Sequence, residues 1–153
     1  MKPLWSVWSK RALDNRLMVD LRPMAIRLIE KLILLQATFR GLDYILLPSG
    51  APIATLSVIE RALPLTMWGW LYLSSAIVAY AGMWWKQSPA AALGHMMLGI
   101  VYGIFAIGAI VEITLVDGGF YGWRTGTAWV VAGLAHVIFA REAERTWRRR
   151  RVT

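Results

Sequence analysis

The stretch LPLTMWGWLYLSSAIVAYAGMWW, residues Leu63–Trp85, contains no charged side chain over its whole length. A bilayer's hydrocarbon core is ~30 Å thick, and roughly 20 apolar residues in a helix cross it. The stretch meets that length, which predicts a helix inside a membrane. Two further stretches repeat the pattern downstream. Residues 90–116 carry only His95 and Glu112 as polar titratable groups, and residues 123–140 hold Arg124 at the start and His136 inside. Residues 26–47 are more polar, with Arg27, Glu30, Lys31, Arg40 and Asp43. Most of those charges lie near the ends, where long side chains snorkel to the interface, and Pro48-Ser49-Gly50 supplies a stop. The expectation is therefore an all-α integral membrane four-helix bundle, with spans at 26–47, 63–85, 90–116 and 123–140.

Composition agrees with this placement. The hydrophobic fraction is 58%, above the ~45–50% usual for soluble domains, and the mean hydropathy is +0.50. Nine tryptophans in 153 residues suit a chain with membrane–water boundaries, where the indole ring settles. Trp68, Trp70, Phe120, Tyr121 and Trp123 mark one boundary, and Tyr80, Trp84, Trp85 and Trp147 the other. There is no cysteine, which excludes disulfides, thiolate catalysis and Cys-ligated metal.

Orientation follows from the basic residues. All but three of the 17 Lys and Arg fall before or at the entry of span one, between spans two and three, or after span four; the exceptions are Arg40, Arg61 and Arg124. Positive loops stay in the cytoplasm, so both termini are expected inside a bacterial inner membrane. Residues 1–25 form a basic segment punctuated by Leu4, Trp5, Trp8, Leu13 and Leu17. It reads equally as an amphipathic helix on the inner leaflet and as an unstructured tail. Residues 141–153 form a basic cytoplasmic tail ending in Arg148, Arg149, Arg150 and Arg151. Placed directly after a span, that cluster reads as a topology signal that binds anionic headgroups rather than nucleic acid. REAER, 141–145, continues the helix with charge pairs at i, i+3 and i, i+4.

Several polar residues sit at membrane depth. Gln36, Arg40 and Asp43 fall within about 60° on one helix face, a stripe expected to turn inward because a central charge facing lipid costs ~2.5–3.5 kcal/mol. Arg40 and Glu112 lie at similar depth, so either they pair or Glu112 reaches the outer headgroups. His95 and His136 lie about one turn from the inner boundary, with Glu30 near the same level. Together these three read as a metal or proton-relay group, or as locally bonded helix-end residues. For close helix packing, Gly99 and Gly103 form a G-x-x-x-G pair, and Ser75, Ala79 and Gly82 form a small-residue seam. Such faces serve packing within one protomer or within a homo-oligomer.

No H-E-x-x-H, G-x-S-x-G or P-loop motif is present, so the expectation is a non-enzymatic protein with no cofactor. The closing GFYGWRTGTAWVVAGLAHVIFAREAERTWRRRR, 119–151, together with the four-span layout, resembles membrane proteins of actinobacterial bacteriophages, and among them holin-like proteins. That resemblance implies oligomerisation to permeabilise or depolarise the membrane. Two alternatives remain open. One is a prophage superinfection-exclusion protein acting through a phage or host protein partner; the other is a small transporter or membrane redox subunit.

Overall fold

The computed structural model describes residues 23–46, 58–86, 88–116 and 123–152. Among these the regular structure is entirely helical: α1 Pro23–Leu46, α2 Val58–Ala62, α3 Leu65–Trp84, α4 Ser88–Val111 and α5 Trp123–Val152. Proline opens α1 and occupies the second position of α4, and Pro64 stands just ahead of α3. These are positions where its missing N–H leaves no helical bond unmade. α4 does not stop at Val111; it widens into a π-helical turn over Glu112–Val116. The expected interfacial segment, the Pro48-Ser49-Gly50 stop and the 117–122 loop, with Phe120 and Tyr121, lie outside the described residues.

One element differs from the sequence reading: Val58–Ala62, expected in an external loop, forms a short helix. α5 runs unbroken through its apolar half and through REAER, where the helix was expected to continue, as far as Val152. Exposed charge pairs clothe the continuation, Arg145–Glu142 at 3.7 Å and Arg148–Glu144 at 2.5 Å.

Neighbours in sequence pack antiparallel. Lys31 meets Tyr80 while Gly41 meets Gly69 across α1 and α3. Gly82 lies against Ala91, and Gly94 against Ala79, across α3 and α4. Gly99 faces Val137, and Gly133 faces Tyr102, across α4 and α5. A Cβ added at Gly94 would stand 2.7 Å from the Ala79 Cα, so that crossing exists only because the side chain is a hydrogen. The seam Ser75, Ala79 and Gly82 is buried inside the protomer, as are Gly94 and Gly99. An added Cβ at Gly103 meets nothing within 4 Å. The small-residue faces thus serve mainly the protomer's own packing, the first of the two uses open to them.

Tyr44, Trp68, Tyr72, Tyr102, Phe105 and Trp129 form a buried aromatic stack, and Ser75, His95 and His136 are fully buried. Outside stand Ile77 at 57% exposure, Ile100 at 57%, Ile107 at 64%, Leu134 at 59% and Ile138 at 64%. By length and composition, one described helix qualifies to cross a membrane, Ser88–Leu115. The others fall short for visible reasons. α1 carries five charges, α3 is charge-free but rich in Trp and Tyr, and α5 combines Arg124 with the arginine tail.

Candidate functional site

His95 lies seven residues into α4 and Glu30 seven residues into α1. Both helices start at the same end of the bundle, so the two side chains meet at one depth. His95 Nε2 approaches Glu30 Oε1 at 3.2 Å. α5 returns to that end antiparallel to α4 and delivers His136, whose Nδ1 stands 2.9 Å from His95 Nδ1. Both imidazoles are wholly buried, whereas the Glu30 side chain keeps 18% of its surface exposed. Phe139 packs on the His95 ring at 5.4 Å, and Tyr102 stacks on His136 at 5.3 Å and 20°. The rings are therefore held between helices rather than hanging at a surface.

These contacts permit a proton transfer along the chain of groups. Two nitrogens at 2.9 Å need one donor and one acceptor. With Glu30 ionised, His95 donates from Nε2 to the carboxylate, so its neutral ring accepts at Nδ1 from His136 Nδ1–H. That leaves His136 Nε2 as a lone pair, and this atom is buried without a partner among the described residues. A proton arriving at His136 Nε2 releases the Nδ1 proton to His95, which passes its Nε2 proton to Glu30. Each nitrogen exchanges its role, no heavy atom moves, and one proton has travelled from the interior to the partly exposed carboxylate. The reverse run returns it. No group of three or more described His, Asp or Glu side chains has the geometry to hold a metal ion.

Beyond His136 lies a second polar group that sequence reading did not assemble. The hydroxyls of Tyr72 and Tyr102 and Trp68 Nε1 are also buried without partners among the described residues. Tyr72 and Tyr102 stack edge-on at 5.1 Å, and Tyr44 stands 6.2 Å from Tyr72. Tyr44 donates a short hydrogen bond to Glu60 on α2. The Arg40 guanidinium lies over the Trp129 ring at 4.2 Å, close enough for all three tyrosine hydroxyls to sense its charge. The side-chain contacts along the bundle run in the order Glu30, His95, His136, Tyr102, Tyr72, Tyr44, Glu60. A signal was present in the sequence: Tyr102 follows His95 by seven residues, which is one face of one helix.

Other expected residues fall elsewhere. The Gln36–Arg40–Asp43 stripe does not turn inward as a unit, for Gln36 and Asp43 are exposed and Arg40 is half-buried. The face α1 buries is Leu34, Ala37, Gly41 and Tyr44, whose spacing of three and four lets α3 approach closely. Arg40 is engaged by Trp129 rather than Glu112, which sits half-buried in the π-helical turn. In the tail, Arg148 binds Glu144, Arg150 donates to the Lys86 carbonyl at 3.3 Å, and Arg151 lies over Trp147 at 3.9 Å; Arg149 is exposed. Comparison with protein-family models, with curated proteins and with solved structures finds no match to the chain.

Proposed function

We propose that this chain is a four-span protein of the bacterial cytoplasmic membrane, with both termini inside, and that it passes protons through its interior and so lowers the membrane potential. The reading keeps the depolarising activity implied by the holin-like resemblance but routes it through one protomer. Lesions built by assembly need free packing faces, and the small-residue seams are largely used up within the bundle.

What carries the reading is the Glu30–His95–His136 chain buried in a bundle whose outer surface is isoleucine and leucine. Ionisable groups at membrane depth are expensive to place, and three of them in hydrogen-bond sequence have a use that isolated ones lack. The exterior supports the four-span placement: lipid tails solvate Ile77, Ile107 and Ile138 as water does not. The charge-free α3, and the basic residues gathered at the Glu30 end, support the orientation.

The test is reconstitution of the full chain into vesicles with a pH dye inside and an imposed potassium-valinomycin potential. Wild-type protein is expected to pass protons while retaining a fluorescent dye of several hundred daltons. His136→Phe, which keeps a flat ring beside Tyr102, is expected to cut the flux about a hundredfold, the low end of what a positioned proton-transfer group contributes. Dye release would replace this reading with lesion formation, and undiminished flux in His136→Phe would remove the relay from it.

A further inference from the structure

The end of the bundle where α3 turns into α4 holds an open cavity of about 720 Å³. Four cations line it, drawn from three separate parts of the chain: Arg27 and Lys31 on α1, Lys86 in the α3–α4 turn, and Arg150 on α5. Glu30 is the only carboxylate among the described residues of the lining, and its Oε1 is already turned to His95 Nε2. Four of the five charged side chains described in the lining are therefore basic.

Its walls are tied together across helices. Tyr80 donates from its hydroxyl to the Lys31 carbonyl at 3.3 Å, which fixes α3 to α1 beside the cations. Arg150 donates from Nη1 to the Lys86 carbonyl at 3.3 Å, which draws the tail of α5 over the turn. Lys86 itself has φ 54°, in the left-handed region, and it is the one non-glycine residue there among those described. Glycine takes that conformation without the Cβ contact that burdens other residues. The turn nevertheless places a lysine there, and Lys86 is part of the wall.

We propose that this cavity binds a phosphate group, as carried by an anionic phospholipid head or by a free polyphosphate. Phosphate matches the lining: arginine forks grip its oxygens in pairs, and lysines act as point charges. The volume falls within the range of small-ligand sites, ~300–1,000 Å³. Trp84, also in the lining, is 84% exposed, and an exposed indole beside basic groups suits the headgroup layer. Access by a lipid rests on the four-span placement proposed above; binding of a free polyphosphate does not.

Native mass spectrometry of the full chain in detergent tests this, with phosphatidylglycerol, phosphatidylcholine and inorganic pyrophosphate as separate probes. Phosphatidylglycerol is expected to be retained over phosphatidylcholine, and the double variant Lys31→Gln/Lys86→Gln to lose that retention roughly tenfold or more. Lys31→Arg/Lys86→Arg should keep it. So should Arg141→Gln/Arg145→Gln, which removes the same charge outside the cavity. Pyrophosphate bound with the same variant pattern, and no preference between the lipids, supports the site with a soluble ligand. The proposal falls if no phosphate probe is preferred, if the tail variant loses as much as the cavity variant, or if the folded arginine variant fails to bind. The readout is independent of proton flux, so either proposal can fail alone.

Discussion

Gly94 and Gly103 share one helix and lie nine residues apart, yet a methyl group added at each meets opposite surroundings. At Gly94 it would overlap the Ala79 backbone, whereas at Gly103 it meets nothing within 4 Å. Gly94→Ala must push α3 and α4 apart, and overpacking of this kind costs ~1–3 kcal/mol. Gly103→Ala gains helix propensity, roughly 0.5–1 kcal/mol. Thermal denaturation in detergent should therefore place Gly94→Ala below wild type and Gly103→Ala at or above it. Tyr72 offers a different contrast, because its hydroxyl is buried without a protein partner. Tyr72→Phe removes a group that contributes little stability, so the melting temperature is expected to hold. Proton flux in vesicles is expected to fall, since the hydroxyl lies along the proposed path. A stability loss with unchanged flux would make Tyr72 a packing residue alone.

Among the elements, α3 and α4 were legible from hydropathy, because a charge-free run of that length has few other homes. The meeting of Glu30, His95 and His136 was legible from depth, since counting residues from helix ends brings all three to one level. The face α1 buries was not. Polarity pointed to Gln36, Arg40 and Asp43, whereas close approach to α3 selected Leu34, Ala37, Gly41 and Tyr44; backbone proximity at Gly41–Gly69 outweighed the polar stripe. The tyrosine group was missed because Tyr44, Tyr72 and Tyr102 come from three helices, and no spacing within one helix joins them. α1 reaches α5 through Arg40 on the Trp129 ring. A cation over an aromatic face contributes ~0.5–2 kcal/mol depending on desolvation. Trp129→Leu should lower the melting temperature more than Arg148→Gln, whose partner Glu144 is exposed and whose pair is worth at most ~1 kcal/mol.

At the scale of the molecule, aromatic and small residues make up most of the described core, with Ser75, His95 and His136 as its buried polar groups, while many isoleucines and leucines stand exposed. Interhelical hydrogen bonds in such bundles average only ~0.6 kcal/mol, and close packing at Gly41, Gly82, Gly94 and Gly99 supplies the remainder. One described helix, Ser88–Leu115, qualifies on length and composition to cross a membrane, and the four-span placement proposed above extends this to α1, α3 and α5.

The chain has no cysteine, so one introduced thiol reports its surroundings without background. Labelling by a membrane-impermeant maleimide, in spheroplasts and then after permeabilisation, reads the whole arrangement. Arg61→Cys should label in intact spheroplasts, and Arg149→Cys only after permeabilisation. Ile77→Cys and Ile107→Cys, on the outward faces of α3 and α4, should resist the reagent in both conditions. Ready labelling of Ile77→Cys and Ile107→Cys in the native protein would put water where the four-span bundle requires lipid.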